Sequence, residues 1–210
     1  MKVSVTKQKI LEVAEKEFLE KGFTKATLRD IVKKAGVTVG AFYGYYTSKE
    51  EIFDDLVKEA ADGLVSIHKS CLAEFKKYFL EGNVEAFDSR SLEVFKELYE
   101  FVYSHNNSFR LIINCSSETK YENYIDNLLN SEVNEVQELA EDFEKKGSWC
   151  NRISSITESV LVTGGYTAFF CLILKGKGRE ETFKSVMELY NFFKAGWHSI
   201  FDLNIFSKEQ

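Results

Sequence analysis

The chain has 210 residues, 44% hydrophobic and 14% aromatic, with no proline and a formal charge of −6. This composition supplies a substantial core, so disorder is not the default, and the acidic balance argues against a simple nucleic-acid-coating protein. The average hides a split: residues 1–50 carry ten Lys and Arg against six acids, net +4, leaving −10 on the other 160. A basic end on an acidic body suits a protein whose N-terminal part meets an anionic polymer.

Four cysteines, Cys71, Cys115, Cys150 and Cys171, are widely spaced, and His68, His105 and His198 add no metal-ligand spacing, so no metal and no cofactor are expected. Sparse thiols suit a reducing compartment. The first residues hold no apolar signal segment, and the longest apolar stretch, 160–174, is short for a bilayer, so a cytoplasmic protein without membrane contact is expected.

In chain order the periodicity is helical nearly throughout. Ile10, Val13, Ala14 and Phe18 mark one face of a first helix that stops near Gly22. Thr27 is placed to cap a second helix through Leu28, Ile31, Val32 and Ala35, which Gly36 ends. A short third helix runs from Thr38 to about Tyr43. Ser48-Lys49-Glu50-Glu51 is a capping box opening a fourth, which the Gly82-Asn83 step separates from a fifth carrying Phe87 to Val102. His105 to Ser108 reads as a polar turn before a brief helix over 109–115. A long acidic helix is expected over 118–146, then two more over about 152–175 and 179–205. No segment has strand period. The fold class is all-α, about nine helices, with an N-terminal three-helix part and a larger C-terminal helical part.

From Thr27 to Tyr43 the pattern has helix-turn-helix form: an apolar-striped helix, a glycine-containing turn, and a short second helix. Val37 and Phe42 can fill the core beneath it, freeing Thr38, Val39, Ala41 and Tyr43 to face outward. The wider window 6–60 has Ile10, Ala14, Phe18 and Gly22-Phe23, then Thr27, Ile31 and Ala35-Gly36-Val37-Thr38, then Gly40, Phe42-Tyr43 and Ser48-Lys49-Glu50. It closely resembles the DNA-binding domain of TetR/AcrR-type transcriptional repressors. Tyr45-Tyr46 and Gly44 depart from the residues common there.

The resemblance implies a DNA-binding domain at 1–48 and a ligand-binding and dimerisation domain at 49–210. It implies a recognition helix with Thr38, Val39, Gly40 and Tyr43 in the major groove. Thr27, Tyr43, Tyr45 and Lys49 would meet phosphates, and Arg29 a base edge or the backbone. It further implies a homodimer on palindromic double-stranded operator DNA, released by a small-molecule effector. The dimer would be built by the last two helices through Gly164, Gly165, Ala168, Tyr190, Phe193 and Trp197. Tyr99, Tyr103, Phe109, Ile112 and Tyr124 of the middle helices, with Phe169 from later in the chain, are candidates to hold an apolar or aromatic effector.

An enzyme reading has one foothold, Cys115 ten residues after His105, with no oxyanion loop or phosphate cradle beside it. A helical adaptor without DNA binding is the remaining alternative. No catalytic residue is expected.

Overall fold

The computed structural model describes residues 4–81, 83–145 and 153–201. Among these, nine helices follow one another: α1 (Val5–Lys25), α2 (Leu28–Ala35), α3 (Val39–Tyr43), α4 (Lys49–Leu80), α5 (Val84–Ser104), α6 (Asn106–Asn114), α7 (Tyr124–Lys145), α8 (Ser155–Lys175) and α9 (Arg179–Phe201). The described residues contain no strand, in keeping with the all-α expectation. They form two compact units, Met1–Gly63 with His105–Tyr124, and Leu64–Ser104 with Ile125–Gln210.

The first unit is built on α1, which buries Ile10, Ala14 and Phe18 on its apolar stripe. Gly22, at φ 76°, breaks the helix where a stop was expected, and one more turn follows to Lys25. The aromatic rings of Phe18, Phe23 and Phe53 form a three-way cluster with centroids 5.3–5.6 Å apart. Helix α6 lies along α1. The Phe23 amide, left without a helical partner by the Gly22 break, donates to the Cys115 carbonyl at the end of α6 at 3.0 Å.

Two helix starts differ from the sequence reading. Asn106–Ser108 is not a turn but the first turn of α6. Asn107 donates to Glu15 at 2.9 Å and Ser108 to the Leu56 carbonyl at 2.8 Å, so its polar residues face partners far along the chain. The acidic helix begins at Tyr124 rather than 118, because 117–123 is turn structure with Glu118 at φ 66°. The Tyr121 hydroxyl on Asp54 and the Tyr124 hydroxyl on the Ala61 carbonyl, both at 2.6 Å, pin this segment to α4. The stop read at 146–148, Gly82, and the final helix beyond 201 lie outside the described residues.

In the second unit the close helix pairs are α8 with α9, α5 with α9 and α5 with α8. Phe95, Phe169 and Tyr190 join the three, with ring centroids 4.9 and 5.4 Å apart. Ser154 caps α8 by accepting the Thr157 amide, which carries the helix to 21 residues. At that length α8 is apolar and long enough to cross a bilayer, more than the sequence reading allowed. Its inner face instead buries Phe169, Phe170 and Ile173 inside the unit.

Candidate nucleic-acid interface

The helix-turn-helix lies wholly in the first unit. Thr27 Oγ1 accepts the Asp30 amide at 3.1 Å and opens α2; Gly36, at φ 65°, closes it in the left-handed conformation that a side chain would strain. Thr38 then repeats the device, accepting the Ala41 amide at 3.1 Å to start α3. Each threonine oxygen has used an acceptor site and still has a hydroxyl proton to donate outward. Ile31 and Phe42 are the inward anchors, both essentially inaccessible.

Everything else on α3 faces out. Val39 is 61% exposed and Tyr43 57%, with Thr38, Gly40 and Ala41 also exposed between them. Tyr45 is exposed in the following turn, its hydroxyl 2.7 Å from Ser4 Oγ. Arg29 and Lys33 are exposed on α2, and Lys25 is exposed at the end of α1. The structure therefore brings Thr27, Arg29, Thr38, Val39, Gly40, Tyr43 and Tyr45 to the surface of one unit.

Lys49 is placed differently. Its ammonium donates to the carbonyls of Phe23 at 2.6 Å and Ala26 at 3.1 Å, approaches that of Thr24 at 3.5 Å, and stands 4.1 Å above the Phe23 ring. An ammonium has three protons, and these carbonyls at the end of α1 take them. A phosphate contact by Lys49 would compete with that arrangement.

Carboxylates the sequence reading left unassigned hold the frame behind this surface. Glu17 is buried between Lys21, at 2.6 Å, and Lys34 of α2. Hydrogen bonds from Lys21 and then Lys34 hold its carboxyl below the ordinary glutamate value of 4.5. Asp55 of α4 accepts from the Tyr46 hydroxyl at 2.5 Å and pairs with Lys7 of α1 at 2.8 Å. Burial opposes the charge on Asp55, but Lys7 and Tyr46 outweigh it and lower its pKa. Tyr46, the departure from the common family residue, is thus a buried strut between α3 and α4.

Residues 10–56 match the family model of bacterial regulatory proteins, tetR family. The segment that carries the helix-turn-helix is thus similar to the N-terminal domain of tetR-family regulators. The uncharacterized HTH-type regulator YdgC of Bacillus subtilis is 38% identical over 69 residues, 33% of this chain and 35% of that protein. An uncharacterized HTH-type regulator from the lacX 3′ region of Lactococcus lactis is 29% identical over 140 residues, 67% of this chain and 59% of that one. The chain thus spans less than two thirds of the length of these curated relatives. A transcriptional regulator of Aquifex aeolicus VF5 has the same fold at 18% identity, with a TM-score of 0.57 over 90% of this chain and 98% of the other.

Of the effector candidates, Phe109, Ile112 and Tyr124 belong to the first unit, and Tyr99, Tyr103 and Phe169 to the second. Tyr99 is fully buried, its ring 5.6 Å from Tyr103 and its hydroxyl on the Arg179 carbonyl at 2.8 Å. Phe109 and Ile112 are core residues of α6.

Of the dimer candidates, Gly164 lies on the open side of α8, with Ile156 and Val160 exposed at 76% and 64% on the same side. Gly165 faces inward: a methyl there would stand 3.3 Å from the Phe193 ring of α9. Tyr190 is engaged within the unit by Ser91, at 2.9 Å. Ala168, Phe193 and Trp197 are half-buried.

Cys115 is buried, which pushes its thiol pKa up and away from the reactive thiolate. Sequence reasoning missed Glu158, buried in α8, and the Tyr166–His68 pair. The available signal was a single acid inside a 21-residue helix whose only other charged residue is Lys175 at its end.

Proposed function

We propose that this chain is a cytoplasmic, ligand-responsive transcriptional repressor that binds a palindromic operator as a homodimer and is released by a small apolar or aromatic molecule. The observation that carries the reading is the outward face of α3. Thr38, Val39, Gly40, Ala41 and Tyr43 are exposed on a helix that Phe42 anchors from beneath, beside exposed Arg29, Lys25 and Lys33. A protruding helix with small residues and peripheral cations fits the major groove and its phosphates. Residues 1–48 serve DNA in this reading, and 49–210 serve the effector and the second protomer.

In this division Thr27, Tyr43 and Tyr45 offer hydroxyls to phosphates, and Arg29 reaches the backbone or a base edge. Lys49 contributes by fixing the corner between α1 and α2. The exposed apolar side of α8, with Gly164 at its middle, supports pairing with a symmetry mate. Helix α4 runs by chain from Lys49 in the first unit to Leu80 in the second, so an effector that favours one setting of α4 changes operator affinity. Operator DNA must then weaken effector binding by the same factor.

The test is fluorescence anisotropy with a duplex from the gene's own promoter over a series of salt concentrations. Binding that weakens linearly in log–log form, and exceeds binding to a scrambled duplex, is expected. Equal weak binding to both duplexes overturns the reading.

A further inference from the structure

Two consecutive tyrosines that follow α3 are held by the start of α1. The amides of Tyr45 and Tyr46 both donate to the carbonyl of Phe42, the residue that anchors α3, at 2.9 and 3.1 Å. Their side chains then part. Tyr46 turns inward, its hydroxyl on Asp55, and Asp55 pairs with Lys7 at 2.8 Å. Tyr45 turns outward, 41% exposed, and its hydroxyl lies 2.7 Å from Ser4 Oγ. The outward ring is thus tied at both ends, by its backbone to α3 and by its hydroxyl to the residue before α1.

Ser4 stands at the N-cap of α1 and does not cap it. A serine there ordinarily accepts an amide from the first turn of its own helix. Here the side chain makes no such bond and is committed to a tyrosine 41 residues away. That bond is exposed to water, so it adds little to stability. What it does is orient the tip of Tyr45. The two hydroxyls carry two protons, and one is consumed between them whichever oxygen donates. The pair therefore has one proton left to donate outward, on the surface that carries α3. A phosphate oxygen, which only accepts, fits that proton.

We propose that Ser4 is a positioning residue for the DNA contact: it holds the Tyr45 hydroxyl where a backbone phosphate of the duplex accepts from the pair. The two side chains act as one donor, and loss of either removes the contact. The proposal rests on the reading of the first unit as DNA-binding, and it gives the residue before α1 a part in that binding.

The experiment titrates the promoter duplex and a scrambled duplex by anisotropy, over a series of salt concentrations. It compares wild type with Ser4→Ala, Ser4→Thr, Tyr45→Phe and the double variant Ser4→Ala/Tyr45→Phe, and measures urea unfolding of each without DNA. Ser4→Ala and Tyr45→Phe should each weaken binding by roughly three- to tenfold, the worth of one hydrogen bond. The factor should be the same for both duplexes, because a phosphate contact carries no sequence information. The salt slope should not change, since no charge is removed. The double variant should lose no more than either single one, and Ser4→Thr, which keeps the hydroxyl, should bind like wild type.

The proposal is overturned if Ser4→Ala binds both duplexes like wild type, or if its loss adds in full to that of Tyr45→Phe. Binding by Ser4→Thr that is no better than by Ser4→Ala overturns it as well. So does a Ser4→Ala variant that unfolds at lower urea than Tyr45→Phe, since Ser4 would then support α1 rather than the tyrosine. In each of these cases wild-type preference for the promoter duplex leaves the repressor reading standing. If wild type binds both duplexes equally weakly, the repressor reading falls and the role of Ser4 falls with it.

Discussion

The ammonium of Lys49 sits 4.1 Å above the Phe23 ring and donates to the carbonyl of that same residue at 2.6 Å. One side chain at the start of α4 thus clasps the point where α1 ends and the helix-turn-helix begins. Lys49→Ala leaves the carbonyls of Phe23 and Ala26 without their donor, and should lower stability by ~1–3 kcal/mol in urea unfolding. Arg29→Ala, at an exposed position, should change stability by no more than ~0.5 kcal/mol yet weaken duplex binding. If Lys49→Ala unfolds at the wild-type midpoint, its carbonyl contacts are dispensable and a phosphate role regains the ground.

Glu17 gives the first unit an acid-sensitive joint. Its folded pKa is lowered below 4.5 by Lys21 and Lys34. A depressed carboxylate contributes stability that is fully present above the unfolded value and is lost as pH falls through the folded one. The gap in urea midpoint between wild type and Glu17→Gln should be constant from pH 7 to about 5.5 and close progressively below the ordinary glutamate value. A gap that persists unchanged at the acid end would show that the two lysines do not stabilise the charged form.

Neighbouring glycines of α8 should respond oppositely to the same substitution. Gly165 faces Phe193, so Gly165→Leu overpacks the unit itself and should lower its stability by ~1–3 kcal/mol. A Cβ at Gly164 meets nothing within 4 Å in the protomer, so Gly164→Leu should leave protomer stability nearly unchanged. Sedimentation should nevertheless shift it from dimer toward monomer, with operator affinity falling in parallel. A Gly164 variant that stays dimeric would move the interface away from this side of α8.

Val39, at 61% exposed, packs against nothing that hides it within its own unit, and α3 presents no amide, guanidinium or carboxylate beside it. Readout at that point should therefore be of methyl groups, and thymine carries one in the major groove. Replacing each contacted thymine by deoxyuridine should cost wild type ~0.8 kcal/mol and cost Val39→Ala much less. Equal losses in the two proteins would place the methyl contact on another residue.

Local signals were legible in the sequence where a motif satisfies its own backbone. The box at Ser48 forms, with the Glu51 amide on Ser48 Oγ at 3.2 Å, and Glu51 reaches back to the Thr47 amide at 2.6 Å. The cap at Thr27 and the glycine stops at Gly22 and Gly36 were equally readable. What was not readable depends on partners far along the chain. Asn107 looks like a turn residue until Glu15 receives it, and the segment before Tyr124 looks helical until Asp54 and Ala61 hold its tyrosines. The surface residues of α3 could be ordered by helical phase alone. The effector candidates could not, because aromatic spacing does not say which core a ring joins, and the five rings divide between two units. Glu158 was visible as an oddity, but its burial and its one amide partner were not.

The bond from the Phe23 amide to the Cys115 carbonyl has a consequence for the order in which the protein is made. Helices α1 to α3 precede α5 in the chain, yet the unit they belong to is closed by α6. Until residue 115 emerges, the end of α1 has an amide with no partner, and the side of α1 that α6 covers stays open. Completion of the unit waits on distant residues, which slows folding relative to a self-contained helical domain. A nascent or prematurely terminated chain therefore carries α3 on an unfinished support, which ties the exposed face of α3 to a chain translated well past it.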